Sequence, residues 1–189
     1  MKRRVAVLIS GNGSNLQALI DAAKEENYPA QIVLVISNKP QAYGLKRAAT
    51  AHIPALVIEH GTYVTREEFD RALHAALMDA HVEILCLAGF MRLLSPWFVA
   101  QWQGRMLNIH PSLLPAFKGA HAVRDALAAG VTKTGCTVHV VTEAVDAGPV
   151  VAQAEVAVLP GDTEESLKLR IHEAEHRLYP AALKVLAGR

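Results

Sequence analysis

Five short apolar runs alternate with helical patterns along the first 110 residues, and this alternation limits the possible folds more than any other feature. Apolar residues fill the runs almost without interruption, which is typical of parallel strands covered by helices on both faces. The runs span residues 5–10, 32–37, 55–58, 84–88 and 106–109. The helical patterns between them span residues 16–24, 45–51, 66–80 and 96–101. This β-α-β-α order predicts an α/β fold with a doubly wound, Rossmann-like and mostly parallel sheet.

The pattern changes after residue 110. A proline-rich loop covers residues 111–115, and a short helix is predicted over 123–129. Two longer strands, 136–142 and 150–158, follow each other across a loop, so we expect an antiparallel part at this end of the sheet. A final helix begins near Thr163, with acidic residues in its first turn. No linker or repeat interrupts the chain, and we expect residues 1–189 to form a single domain.

Composition and charge restrict the possible partners. The chain has 189 residues, of which 51% are hydrophobic and 20% charged, as in ordinary soluble α/β proteins. The 19 basic and 18 acidic residues leave a net charge of +1, which argues against a nucleic-acid surface. No apolar run approaches the ~20 residues of a membrane span. The first apolar run is also too short for a secretion signal, so the expected compartment is the cytoplasm.

The two cysteines, Cys86 and Cys136, lie inside apolar runs. Neither belongs to a C-x-x-C pair or to a Cys/His pattern with metal-ligand spacing. We therefore expect both to be reduced core residues, and we expect no metal site.

A glycine-containing loop follows the first strand and precedes the first helix. The loop consists of Gly11, Asn12, Gly13, Ser14 and Asn15. Backbone N–H groups at such a position can point at an anion, and the helix dipole assists them. The dinucleotide pattern G-x-G-x-x-G fails because Leu16 occupies its last position. A phosphate monoester site is the favoured interpretation, and a tight structural turn is the alternative.

Three further residues are candidates for acid–base catalysis. Asn108 and His110 lie two residues apart at the end of the fifth predicted strand, so their side chains share a face. Ligands bind at the carboxyl edge of such sheets. Asp146 follows in the loop between the two later strands, and a carboxylate beside an imidazole favours its charged form. A structural histidine and a solvated acidic turn are the alternatives, and the sequence does not show that His110 and Asp146 meet.

Other candidates lie outside this trio. Residues 87–94 follow the fourth strand and could line a slot for a flat ring, with core packing as the alternative. Arg66 opens a helix, where a cation opposes the helix dipole, so a role toward an anionic ligand competes with plain surface placement. Glu175 falls at the edge of the apolar stripe of the last helix and could receive a ligand, although an ion pair on the helix flank would also explain it.

Taken together, these motifs resemble the phosphoribosylglycinamide formyltransferase family, a folate-dependent family of purine synthesis. The resemblance covers almost the whole chain, including residues 9–17, 88–92, 108–115, 135–139 and 146–149. The Asn-x-His-x-Ser-Leu-Leu-Pro block is shared across folate formyltransferases, and the glycine loop and short chain select this family among them. The resemblance implies a formyltransferase fold, with residues 1–105 as a phosphate-binding half and 106–189 as a catalytic and folate-binding half.

The resemblance also implies a role for each candidate. The loop from Gly11 to Asn15 would hold the phosphate of glycinamide ribonucleotide, and Glu175 would lie near its ribose and glycinamide end. The catalytic residues would be Asn108, His110 and Asp146. The co-substrate 10-formyltetrahydrofolate would be bound by Arg66, Met91, Arg92, Leu93, Leu94, Asn108, Val141, Thr142 and Asp146.

The implied mechanism is direct transfer of the formyl group to the substrate amine. Asn108 and protonated His110 would stabilise the oxyanion of a tetrahedral intermediate. His110 would then protonate the departing folate nitrogen, while Asp146 supports the charge of His110 and orders a water. Residues 116–123 differ from the commonest family form, and this leaves the contacts of that loop unassigned.

Three alternatives compete with this interpretation. Formyltetrahydrofolate deformylase normally has an additional N-terminal domain, for which the chain leaves no room before its first strand. Methionyl-tRNA formyltransferase needs a tRNA-binding domain and an excess of basic charge. A non-enzymatic nucleotide-binding module would explain the glycine loop but not Asn108, His110 and Asp146 together. We expect two small-molecule substrates, no nucleic-acid or membrane partner, and a monomer or homodimer.

Overall fold

A sheet of seven strands forms the centre of the molecule, which the computed structural model describes over residues 1–189. The strands are β1 (Arg3–Ile9), β2 (Ala30–Ser37), β3 (Ala55–Val57), β4 (Ile84–Leu87), β5 (Met106–His110), β6 (Lys133–Val140) and β7 (Val150–Ala157). The helices are α1 (Ser14–Ala23), α2 (Gly44–Thr50), α3 (Arg66–Asp79), α4 (Pro96–Gln101), α5 (Ala122–Ala128) and α6 (Glu164–Ala187), with a short 3-10 turn at His60–Thr62.

The strand order is β3-β2-β1-β4-β5-β6-β7. Strands β1 to β5 pair in parallel, whereas β6 and β7 join antiparallel at one end. The chain reverses its direction of winding at β1, which lies between β2 and β4, and clefts form at such a reversal. The predicted fold class, a mostly parallel doubly wound sheet with an antiparallel C-terminal part, is confirmed.

The core lies on both faces of the sheet, as the uninterrupted apolar runs predict. Along β1, Val5, Val7 and Ile9 pack on the side of α1 and α6. The alternate residues Ala6 and Leu8 pack on the side of α3 and α4. Helix α6 closes the first side, and its Tyr179 is fully buried there.

Side-chain caps determine where two of the helices begin. The Thr65 hydroxyl accepts the backbone N–H of Glu68, and the Glu68 carboxylate accepts the backbone N–H of Thr65, which makes Arg66 the first residue of α3. Thr163 caps α6 in the same way with Ser166. Both helix starts agree with the sequence prediction.

One strand differs from its prediction. The sequence places a strand over 136–142, but β6 runs from Lys133 to Val140. The polar residues at its start hide the strand in the sequence, and pairing with β7 extends it back to Lys133 opposite Ala157. None of the helices combines the length and the apolar character that crossing a bilayer requires.

Candidate active site

Two cavities open at the carboxyl edge of the sheet, where the loops after β1, β4 and β5 meet. The first, of about 310 Å³, is largely apolar and opens between the start of α3, the loop after β4 and the loop after β6. Its lining includes the predicted folate residues Arg66, Arg92, Leu93, Leu94, Asn108, Val141, Thr142 and Asp146. We call it the apolar cavity.

The second cavity, of about 500 Å³, is more polar, and we call it the polar cavity. The whole glycine loop, Gly11 to Asn15, borders it together with Glu175. Two lysines, Lys39 and Lys168, and two histidines, His121 and His172, also reach its wall. The predicted ribonucleotide residues are therefore brought together, with cations beside the loop that the sequence analysis did not single out.

Residues 88–95 form the wall between the two cavities, and we call them the dividing segment. Gly89 and Met91 border the polar cavity, whereas Phe90 and Arg92 border the apolar one. Leu93 and Leu94 also border the apolar cavity. Met91, which we predicted beside the pterin, borders the polar cavity and is 73% exposed, and its contact with the pterin stays a prediction.

Asn108 contacts a second histidine of this region. His139 lies directly opposite it in the β5–β6 pairing, and the Asn108 amide donates to His139 Nε2 at 3.5 Å. Burial lowers the pKa of His139, which favours the neutral ring. Because Nδ1–H donates to the Val140 carbonyl at 3.2 Å, Nε2 is free to accept. His139 thus orients the Asn108 amide.

His110 and Asp146 do meet, although 36 residues separate them in the sequence. His110 Nδ1 lies 3.5 Å from Asp146 Oδ2, and both side chains are more than nine-tenths buried. On the other side of the ring, Nε2–H donates to the Phe117 carbonyl at 2.8 Å. Each ring nitrogen therefore lies beside an oxygen acceptor, Nδ1 beside Asp146 and Nε2 beside Phe117.

The loop that carries Asp146 is held in place by several contacts. Asp146 Oδ2 accepts the backbone N–H of Gly119 at 2.9 Å, and Oδ1 lies 3.8 Å from His139 Nε2. Its φ of 51° is in the left-handed region, which non-glycine residues seldom adopt outside functional sites and turns. One carboxylate therefore links His110, His139 and the loop over 116–121.

His110 borders neither cavity and is only 5% exposed. The ring nitrogen that faces away from Asp146, Nε2, is hydrogen-bonded to the Phe117 carbonyl. Its neighbours Ile109 and Pro111 line the polar cavity, and Asn108 lines the apolar one. The end of β5 thus reaches both cavities, and movement of Phe117 would uncover the imidazole between them.

The conformation of the glycine loop depends on close backbone packing. Gly13 has a φ of 77°, and a Cβ there would lie 2.7 Å from the Cα of Gly44 at the start of α2. Arg47 on α2 donates to the Asn12 carbonyl at 2.9 Å and to its side-chain oxygen at 2.7 Å. These contacts hold the loop open toward the polar cavity.

Glu175 is buried, with only 4% of its surface exposed, although the sequence places it at the edge of the apolar stripe. Burial raises its pKa to about 7, while the hydrogen bond from Asn15 and the charge of Lys168 oppose this rise. The Asn15 amide donates to Glu175 Oε2 at 2.9 Å. The glycine loop and α6 are thus joined at the wall of the polar cavity.

The geometry permits acid–base chemistry at the boundary between an apolar and a polar cavity. An amide donor, an imidazolium and a carboxylate can stabilise an oxyanion and move a proton. No group of three or more His, Cys, Asp or Glu side chains is arranged as a metal-binding cluster.

Several residues of this region escaped the sequence analysis. Ser10 and Asp70 are buried polar residues within otherwise apolar patterns, and Phe117 contributes only its backbone. The available signals were a polar residue at the end of an apolar run for Ser10 and a polar residue in the apolar stripe of a helix for Asp70, because buried polar groups normally have a partner.

Comparison with known proteins adds family information. The sequence pattern described as "Formyl transferase" matches residues 3–183. The chain is 57% identical over 189 residues to the trifunctional purine biosynthetic protein adenosine-3 of Drosophila pseudoobscura pseudoobscura. The aligned region covers 99% of this chain but 14% of that protein. The chain therefore spans about a seventh of the length of such a relative.

Relatives of similar length are also found. The phosphoribosylglycinamide formyltransferase of Escherichia coli (strain K12) is 45% identical over 183 residues, which is 97% of this chain and 86% of that protein. The crystal structure of phosphoribosylglycinamide formyltransferase from Brucella melitensis superposes with a TM-score of 0.96 at 50% identity, covering 100% of this chain and 97% of that one.

Proposed function

This chain belongs to the formyl transferase family, and we propose that it transfers the formyl group of 10-formyltetrahydrofolate to the amine of N1-(5-phospho-D-ribosyl)glycinamide in de novo purine biosynthesis. The observation that carries the proposal is the position of β5. Its end places Asn108 in the apolar cavity and Ile109 beside the polar one, with His110 and Asp146 paired between them. The relatives named phosphoribosylglycinamide formyltransferase support the choice of substrates.

The polar cavity is the proposed ribonucleotide site. The phosphate would lie against the N–H groups of the glycine loop at the start of α1, with Lys39 and Lys168 supplying positive charge nearby. Glu175 would face the ribose and the glycinamide end, since it borders the same cavity and is tied to the loop through Asn15.

The apolar cavity is the proposed folate site. A flat pterin suits a pocket with Leu87, Phe90 and Val99 among its walls. Backbone N–H groups of the dividing segment that lack a protein partner can read the edge of the ring. Arg66 and Arg92, which line the same cavity, would attract the acidic part of the folate.

The reaction joins the two cavities. The substrate amine attacks the formyl carbon, a C–N bond forms, and the carbonyl electrons move onto oxygen. The Asn108 amide and the His110 imidazolium, once its Nε2–H has left the Phe117 carbonyl, stabilise this oxyanion. As the oxyanion collapses, the bond from the formyl carbon to N10 breaks, His110 supplies a proton to N10, and the amine gives up its proton through water near Asp146. The products are the formamide and tetrahydrofolate, with His110 reprotonated.

We also propose that the reaction takes place in the cytoplasm. Cys86 and Cys136 are both buried and form no disulfide, as is usual in a reducing compartment.

An assay with and without the acceptor tests the proposed function. Purified protein is incubated with 10-formyltetrahydrofolate, and tetrahydrofolate release is followed in the presence and absence of glycinamide ribonucleotide. We expect release only when the ribonucleotide is present. Equal release without it would identify a deformylase, and no release in either case would favour a nucleotide-binding module.

A further inference from the structure

The dividing segment is a wall shared by both cavities, and we propose that Ser10 and Asp70 are positioning residues that hold this wall from two points. Neither residue lines the apolar cavity, whereas Ser10 lines the polar one next to Gly11. Their proposed action is through the backbone of the segment. The inference rests on the proposed function for the identity of the two ligands only.

Few contacts fix the backbone of the dividing segment. It has no helix or strand, and after the Ala88 N–H, which donates to the Leu8 carbonyl at 2.9 Å, only two of its N–H groups find a protein acceptor. The Met91 N–H donates to Ser10 Oγ at 2.8 Å. The Ser95 N–H donates to Asp70 Oδ2 at 2.5 Å. Two side chains thus replace the hydrogen bonds that a regular element would supply.

The Ser10 hydroxyl is itself oriented by a buried neighbour. It is 6% exposed and donates to Asn38 Oδ1 at 2.6 Å, which directs an oxygen lone pair toward Met91. The Asn38 amide in turn contacts His60 Nδ1 at 3.2 Å. Ser10 also directly precedes Gly11, so one residue connects the glycine loop with the middle of the dividing segment.

Asp70 holds the other end of the segment. It is 0% exposed and lies one turn after Arg66 on α3, on the face that meets the segment. Its partner Ser95 caps α4 by accepting the Phe98 N–H at 3.2 Å. The Asp70 carboxylate therefore fixes the position of Ser95, which ends the dividing segment and caps α4.

The two contacts have different neighbours, and this makes the proposal specific. Met91 and Gly89 border the polar cavity while Phe90 and Arg92 border the apolar one, so loss of the Ser10 contact disturbs both. Near Asp70, Leu93, Leu94 and Pro96 border only the apolar cavity. Loss of the Asp70 contact therefore disturbs folate binding alone.

The test measures each ligand separately by titration calorimetry, using glycinamide ribonucleotide and the stable folate analogue 5,8-dideazafolate. Ser10→Ala should weaken both ligands by about fivefold, the effect of one buried hydrogen bond. Asp70→Ala should weaken the folate analogue by at least this factor and leave ribonucleotide affinity within about twofold. Asp70→Asn keeps an acceptor oxygen for Ser95 and should restore most of the folate affinity.

Tyr28→Phe is the matched control. It also removes a buried hydroxyl hydrogen bond, from Tyr28 to the Pro180 carbonyl at 2.7 Å, but at the opposite edge of the sheet. Both affinities should stay unchanged in this variant. If Tyr28→Phe and Ser10→Ala weaken binding equally, or if Asp70→Asn binds as poorly as Asp70→Ala, the positioning role is overturned.

Hydrogen exchange provides a second measurement that needs no ligand. Ser10→Ala should speed amide exchange in a peptide covering residues 88–95, and Tyr28→Phe should not. Unchanged exchange in Ser10→Ala would overturn the proposal even if Asp70→Ala fails to fold. Wild-type protein that binds neither ligand would overturn the proposed function while leaving the exchange result to decide the positioning role.

Discussion

At the scale of single residues, charge and burial divide the two histidines of the site between different roles. His110 has an oxygen acceptor beside each ring nitrogen, Asp146 at Nδ1 and the Phe117 carbonyl at Nε2. His139 is a neutral ring that accepts from Asn108, because burial lowers its pKa. The proposed acid, His110, and the residue that orients Asn108, His139, are thus the same type of side chain in different surroundings.

Replacement of Asp146 by Asn tests the charge beside His110. The variant keeps the size of the side chain but removes the negative charge that favours the imidazolium, so kcat should fall by roughly 10²–10⁴-fold. Binding of the folate analogue should persist. Steady-state kinetics gives the rate, with the exposed Asp79→Asn variant as control. A rate near that of the wild type would remove Asp146 from the mechanism.

Glu175 should make folding stability depend on pH. Its pKa is raised from 4.5 to about 7, so the folded state holds a proton that the unfolded chain has already released. Its stabilising contribution is therefore complete below pH 4.5 and is lost as the pH rises through about 7, at roughly 1.4 kcal/mol per pH unit.

The Glu175→Gln variant, which has no such proton, should become more stable relative to the wild type as the pH rises. Urea unfolding at pH 5 and pH 8 measures the change in free energy of unfolding for both proteins. Because all other titrating groups are shared, their contributions cancel in the difference. A difference that does not vary with pH would show that Glu175 titrates normally in the fold.

At the scale of secondary structure, the β6–β7 connection carries Asp146 and depends on one glycine. Gly148 lies so close to β6 that a Cβ there would be 1.7 Å from the Val140 carbonyl oxygen. The clash is with backbone, which cannot rotate away. Because residue 148 has no side chain, the loop can run directly against β6, and this path brings Asp146 back to His110.

A Gly148→Ala substitution should move this connection. We expect a loss of about 1–3 kcal/mol, typical of overpacking, and a lower Tm by roughly 2–4 °C for each kcal/mol. Thermal unfolding and kcat are measured together, because displacement of Asp146 should also slow the reaction. Gly61→Ala, which meets nothing within 4 Å, is the control. Equal melting temperatures for the two variants would contradict this account.

At the scale of the whole molecule, the proposed halves 1–105 and 106–189 share one core. The larger apolar cluster includes residues of β1 as well as Tyr179 and Leu183 of α6. The Tyr179 hydroxyl reaches the carbonyls of Leu87 and Leu107, at 2.8 and 3.1 Å, on either side of the boundary. A cut between the halves would also break the β4–β5 pairing.

The chain should therefore unfold as one unit. Differential scanning calorimetry is expected to give a single transition with equal calorimetric and van't Hoff enthalpies. A fragment of residues 1–105 should remain unfolded, since it lacks α6 as the cover for one face of the sheet. Two separate transitions, or a folded fragment, would show that the halves are independent domains.

Much of this fold could be predicted from local patterns. The uninterrupted apolar runs predict buried parallel strands, Thr163 with the acidic residues after it predicts the start of α6, and the glycine loop after β1 predicts an anion site. Each of these patterns acts within a few residues of chain. Periodicity, capping and turn chemistry are local, so the sequence by itself determined the order of the elements and the candidates at their ends.

Only the tertiary structure decided which candidates meet. The β5–β6 register places His139 opposite Asn108, the β6–β7 connection brings Asp146 to His110, and the path of the dividing segment places Met91 at the polar cavity. The burial of Glu175 depends likewise on the packing of α6 against the glycine loop. These contacts join residues far apart in the chain, and their geometry follows from how the whole core packs.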